Sequence, residues 1–313
     1  MVKNVRQVNC PITIKQFGLG QSNPTYLVIG IDDTRAVCRK NPPGELLSKM
    51  THNVEREHRV LHALRKTEIP VPIPYCLCED NSVLGMPFYF MSFLDGRLHE
   101  DAELPLVSPE ERQEMWHDAV RTLGKIHLIN IWSTGLKTFG KSSNFYNRQI
   151  ATFTRMSDTQ CKVIDVETKQ PVGKISHFDE MVSFFKDKKL QPHDRETLIY
   201  GDFKMDNVFF HNSKARVIGV LENNQGQPTF QDGITLGMPT YSTILKWYNE
   251  EVGWDVEHES GWASAFAIFS PAVITQGIAA RRALRQTSSI KRNELAYRMV
   301  QNLIHRGKSK SKI

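Results

Sequence analysis

The chain lacks most of the features that would place it in several large functional classes. Its 313 residues include five cysteines, an odd number with no metal-ligand spacing, so neither a disulfide framework nor a zinc centre is indicated. Cys76 and Cys78 form a C-x-C on an expected strand and are read as pointing to opposite faces. Reduced thiols inside a cell are the expectation. No apolar run is read as reaching the ~20 residues that span a bilayer. The opening MVKNVRQVNCPITI has no apolar stretch of the kind a secretory leader carries. Repeats and low-complexity tracts are missing. So is any basic stripe interleaved with aromatics, the mark of single-strand binders. The formal charge is +6, but Arg306, Lys308, Lys310 and Lys312 supply four of it, leaving +2 elsewhere. No nucleic-acid partner and no membrane partner are expected, and a cytoplasmic protein is.

Apolar, charged and aromatic fractions are ordinary, and the length suits one large domain or two lobes. Residues 1–95 read as strand-rich, with ITIKQFG and TYLVIG flanking a Gly/Ser/Asn turn. Pro70, Pro72 and Pro74 mark an extended entry that cannot be helical, and a strand over Pro87–Leu94 then leads to Asp95-Gly96, a natural junction. From Ser108 the pattern turns helical: Pro109 suits the first helical position, and Glu110 and Glu111 suit the positive end of the dipole. That helix carries His127, read as a core histidine. Residues 157–175 are polar and turn-rich, a surface excursion. Two or three helices close the chain.

The informative stretch is Tyr200–Glu222, YGDFKMDNVFFHNSKARVIGVLE. It reads as a polar loop, a strand (Val208–Phe210), a turn and a second strand ending at Glu222. Antiparallel pairing brings Glu222 back towards Asn207. An acid, an amide and a second acid at one end of a hairpin suit a divalent cation and a nucleotide phosphate. A plain Gly/Asp/Asn turn is the competing reading of the loop alone.

This segment resembles the catalytic hairpin of the aminoglycoside phosphotransferase family, whose pattern is HGDxxxxN followed by a strand ending in DW. The resemblance is greatest to kinase-like proteins of fungi and to the kinase-like domain fused to acyl-CoA dehydrogenases in animals. It extends in order through FGLGQSNPTYLV, CRKNPPGELL, VEREHRVLHAL, Ile69–Arg97 and Ala265–Ser289. It implies an α+β, protein kinase-like fold of two lobes. The first (1–95) is an antiparallel nucleotide-binding sheet with one main helix; the second (96–313) is mostly helical and carries the catalytic hairpin.

The resemblance also implies roles. Asp202 is the catalytic carboxylate that accepts the proton of the attacking hydroxyl, and Asn207 and Glu222 hold Mg²⁺. Gly18, Gly20, Ser22 and Asn23 approach the phosphates of ATP. Arg39 is the third-strand cation, with Lys40 the alternative, and its acidic partner is Glu57, with Glu55 competing. Backbone around Met91 and Phe93 contacts adenine. Three departures stand beside the site: Tyr200 for the loop histidine, Glu222 for aspartate, and Asn223 for tryptophan, followed by a shortened NNQGQPTFQDGITLGMPTYS. Glutamate extends its ligand by about one carbon–carbon bond, ~1.5 Å. The expected activity is ATP- and Mg²⁺-dependent transfer of phosphate to a small-molecule hydroxyl, such as that of a hydroxy acid or hydroxyacyl metabolite. The alternative is a degenerate, pseudokinase-like module that binds nucleotide or a partner. The final Ser311-Lys312-Ile313 resembles a peroxisomal address, with a frayed basic end as the competing reading.

Overall fold

Alternation along a central strand organises the first half of the chain. In a computed structural model, which describes residues 7–17, 23–42, 53–141, 143–201, 203–220 and 235–285, β5 (Phe88–Ser92) sends Tyr89 and Met91 to one face and Phe88 and Phe90 to the other. It lies in an antiparallel sheet of order β1-β2-β3-β5-β4, with β1 Thr13–Gln16, β2 Thr25–Ile29, β3 Arg35–Lys40 and β4 Pro74–Cys78. One face packs Val37, Tyr89 and Met91 beneath α1 (Val54–Leu64), whose Val54 and Leu61 complete that cluster. The other face gathers Val28, Ala36, Cys38, Phe88 and Phe90. Asn53 caps α1 by accepting from the Arg56 amide at 2.9 Å.

Cys76 and Cys78 both pack against this second cluster. Residues two apart in a strand share a face, so the expectation of opposite faces is corrected. Burial pushes the neighbouring Cys38 thiol up to about 12. Among the described residues, no group of three or more His, Cys, Asp or Glu is placed to hold a metal.

The described residues form two compact units, residues 1–140 with 197–254 and residues 141–196 with 255–313. This grouping follows packing and does not address a functional boundary near residue 95. The first unit holds the sheet, α1, a short α2 (Asn81–Leu84) and a second antiparallel sheet, β6-β7-β8 (Arg97–Leu98, Val208–Phe210, Val217–Val220). The long helix α3 (Pro109–His127) backs that second sheet through Met115 and Ala119, packed with Val208, Phe210, Val217 and Val220. The Ser108 hydroxyl caps α3 by accepting from the Glu111 amide at 3.2 Å. His127 is half-buried rather than a core residue: its Nδ1 lies 2.6 Å from the Tyr248 hydroxyl of α6 (Tyr241–Val252), and desolvation lowers its pKa.

The second unit packs α4 (Phe145–Gln160), α5 (Phe178–Lys186) and α7 (Glu257–Ala283) around Phe185, Trp262, Phe266 and Phe269. Helix α7 is long and apolar enough, by length and composition, to cross a membrane, which corrects the expectation that no stretch qualifies. Core helices pass the same test, and Trp262, Phe269, Val273 and Ala280 are buried in this unit. It runs unbroken through Pro271, whose exposed position lets the freed carbonyl face water. The polar excursion is fastened to α7: Val166 N–H donates to Ala283 O (3.1 Å) and Gln276 to Gly173 O (2.8 Å).

Glu259 ties α7 to the segment after α5. Burial would raise its pKa. Arg195 (Nη1–Oε2 2.7 Å) and the His193 amide (3.1 Å) overcome that and hold the carboxyl below its ordinary value. A depressed folded pKa stabilises above the unfolded value and is lost as pH falls through the folded one. Glu259→Gln is therefore expected to cost about 2 kcal/mol at pH 7, a figure below the cost of breaking a fully buried pair because Arg195 is partly exposed. The gap to wild type should narrow at about pH 3. Urea midpoints at the two pH values measure both; equal midpoints at pH 7 would remove the pair from the account.

Candidate active site

Strand alternation decides which third-strand cation faces α1. Arg39 does: its Nε lies 2.8 Å from Glu57 Oε2, and its Nη2 3.3 Å from Oε1. Lys40 points to the other side, its Nζ 5.7 Å from the centre of the Tyr26 ring. Glu55 makes no ion pair with Arg39. Glu57 also accepts from Asn23 Nδ2 at 2.6 Å and from the Tyr89 hydroxyl at 3.1 Å. Two strands and the residue leading into β2 thus converge on one carboxylate, whose charge is met by a guanidinium fork and two neutral donors. Asn23 is only 1 % exposed, and its side-chain oxygen has no hydrogen-bond partner among the described residues. Its amide group turns inwards, so it fixes the end of the glycine loop to α1. Gly18, Gly20 and Ser22 lie outside the described residues. Asn41 Oδ1 accepts from the Val54 amide at 3.1 Å and ties β3 to the start of α1. Met91 is buried beneath α1, and Phe93 stands one residue past β5 with the Arg35 guanidinium 5.6 Å from its ring.

The second part of the site is the loop leading into β7. Tyr200 lies edge-on to Phe203 (5.6 Å), and both pack on the cluster of Leu64, Ile69 and Ile126. A ring at position 200 thus serves as packing beneath the loop. Residues Met205–Asn207 form a single buried 3₁₀ turn, and Lys204 Nζ lies 3.7 Å from Asp206 Oδ2. Val208 pairs with Val220, so Asn207 stands at the end of the hairpin where β8 finishes. Asp202 and Glu222 lie outside the described residues.

Several contacts hold this hairpin in place. Arg97 donates from Nε to His211 O (3.1 Å) and pairs with Glu111 (2.7 Å), and Asp118 of α3 accepts from the Val217 amide (2.7 Å). A side chain on Gly96 would meet Phe210 O at 2.5 Å, so the close approach of β6 to β7 requires glycine there. Mg²⁺ takes oxygen ligands in near-octahedral geometry. The Asn207 amide oxygen, on a buried turn braced by α3, fits one such position.

The family model described as the phosphotransferase enzyme family, APH, matches residues 13–221. The chain belongs to that family. This APH chain is 32 % identical over 305 residues to acyl-CoA dehydrogenase family member 10 of Mus musculus, covering 89 % of the chain and 27 % of the mouse protein. It therefore spans about a quarter of that relative's length. Among solved structures, one provisionally assigned as an aminoglycoside phosphotransferase from Ralstonia eutropha JMP134 is similar at 28 % identity, with a TM-score of 0.76. That match covers 97 % of this chain and 93 % of that one. The streptomycin–ATP ternary complex of APH(2″)-IIa has the same fold, at a TM-score of 0.55 and 15 % identity, covering 88 % and 87 % of the two chains. The kinase-like α+β fold expected from the hairpin and its flanking stretches is the fold of the APH chain.

Sequence reasoning paired Arg39 with Glu57 but did not find Tyr89 as a donor to that pair. The available signal was Tyr89's place on the inner face of β5, shared with Met91. The Lys204–Asp206 pair and the Arg97 and Asp118 braces carried no sequence pattern, because each joins segments separated in the chain or lies inside an irregular loop.

Proposed function

We propose that this chain is an ATP- and Mg²⁺-dependent phosphotransferase acting on the hydroxyl of a small molecule, with a hydroxy acid or hydroxyacyl metabolite as the substrate class. The observation that carries the reading is the partly buried Arg39–Glu57 ion pair, since phosphoryl transfer depends on positioned charge rather than covalent chemistry by the protein. In this reading Arg39 meets the phosphates while Glu57, steadied by Asn23 and Tyr89, keeps its guanidinium aimed. Gly18, Gly20 and Ser22 offer backbone N–H groups to the phosphates, and the segment from Met91 to Phe93 borders the adenine. Lys40, turned towards Tyr26, has no part in the clamp. Asp202 orients the acceptor hydroxyl and takes its proton. Asn207 and Glu222 would hold Mg²⁺, which neutralises charge on the transferring phosphate. The substrate class rests on the acyl-CoA dehydrogenase relative, of which the chain covers a minor part.

A second reading, a degenerate module that binds nucleotide or a partner without turnover, is favoured by Tyr200, Glu222 and Asn223 in place of the family's residues. A longer metal ligand displaced by ~1 Å can cost about 10²-fold in rate. The experiment that separates the two is ATP-dependent phosphorylation of a panel of short and long hydroxy acids and hydroxyacyl thioesters, followed by ³¹P NMR. Transfer to any of them supports the enzyme. Failure across the panel, with ATP bound, supports the module.

A further inference from the structure

We infer that Phe139 is a positioning residue, held between two arginines of α1 and thereby fixing Glu57 against Arg39. Its place in a nucleotide site rests on the phosphotransferase reading; the clamp itself does not. The Arg56 guanidinium lies 4.1 Å from the centre of the Phe139 ring and the Arg59 guanidinium 5.9 Å from it. Arg56 Nη2 also donates to Phe139 O at 3.1 Å, and Arg59 Nη2 to Gly135 O at 3.0 Å and to Thr138 Oγ1 at 2.6 Å. Two side chains of one helix therefore make five contacts with one loop.

The loop is built to take a load. Asn130 Oδ1 accepts from the amides of Trp132 (2.9 Å) and Ser133 (3.1 Å), the Leu136 amide donates to Ile131 O (2.8 Å), and Leu136 is buried. The Phe139 amide closes a further turn on Leu136 O at 2.8 Å. The loop follows α3, the helix whose Asp118 braces the catalytic hairpin. One helix thus fixes both the hairpin and the support of α1.

The mechanical consequence follows from helix geometry. Arg56 and Glu57 are consecutive, about 100° apart around the axis, so holding Arg56 from outside fixes the roll that aims Glu57 inwards. A roll of 20° at a side-chain radius of about 6 Å would move the carboxylate by roughly 2 Å, enough to open the contacts to Arg39, Asn23 and Tyr89.

The test uses the full chain as wild type, Phe139→Ala and Phe139→Trp, read by hydrogen exchange and by calorimetric titration with Mg-ATP. Phe139→Ala is expected to speed exchange of amides in residues 54–64 about tenfold, leave β7 unchanged, and weaken ATP about tenfold. Phe139→Trp, which keeps a ring for the guanidinium groups, should restore both. Unchanged exchange in α1 overturns the clamp, and a loosened α1 with wild-type ATP affinity overturns its positioning role. Should wild type bind no ATP, the phosphotransferase reading falls, and α1 exchange alone decides the clamp. Arg56→Gln, a change on the helix surface, gives the same comparison if Phe139→Ala does not fold.

Discussion

Asp202→Asn is expected to lower kcat about 10³-fold while leaving ATP affinity within about threefold of wild type. A positioned general base contributes roughly 10²–10⁴ in rate, and asparagine keeps the shape of aspartate without its proton affinity. The loop around it is well supported: Tyr200 and Phe203 pack beneath it, and the buried turn Met205–Asn207 leads straight into β7. The substitution should therefore act on chemistry and not on folding. Rate measurements at saturating ATP, paired with calorimetry on the same sample, separate the two. A variant that turns over at the wild-type rate would remove Asp202 from its role as the base.

Arg39→Ala has the second large effect. Among the described residues, it leaves the Glu57 carboxylate beside Asn23 and Tyr89 with two neutral donors and no counter-charge. Breaking a fully buried pair costs ~3–5 kcal/mol; with side chains 11 % and 17 % exposed, about 2 kcal/mol of stability is expected to be lost here. ATP affinity should fall roughly 30-fold, about 2 kcal/mol, since the phosphates lose the cation as well. Arg39→Lys returns a charge without the planar fork that spans both carboxylate oxygens, so it should recover part of each loss. Urea unfolding and ATP titration across the three proteins measure both. Equal ATP affinity in wild type and Arg39→Ala would place the phosphates elsewhere.

The parts of this molecule that could be read from its sequence are those with period and chemistry together. VEREHRVLHAL carries the buried stripe Val54, Leu61 and Leu64, and α1 spans those eleven residues. The strand ending at Lys40 and the hairpin of Val208–Phe210 and Val217–Val220 were legible for the same reason. Strand β6 was not: two residues, Arg97 and Leu98, carry no period, and they pair only because β7 needs a neighbour. The closing helices were expected without bounds; α7 runs unbroken through Pro271, which sits on the exposed side of the helix.

The site divides similarly. Alternation left Arg39 and Lys40 open, and only the direction of the strand against α1 settles that Arg39 meets Glu57. Donors to Glu57 from Asn23 and Tyr89, 34 and 32 residues away, depend on tertiary closure. The Phe139 clamp lies further still, 83 residues from Arg56. Neither has a local signature.

The phosphotransferase reading requires a working metal–nucleotide site. Calorimetric titration of ATP into the purified protein, with Mg²⁺ and again with EDTA, tests it most directly. The account predicts saturable binding that requires Mg²⁺ and weakens when Glu222 is replaced by alanine. Absence of binding under both conditions, in a protein shown to be folded, would contradict it and leave a scaffold in the phosphotransferase fold.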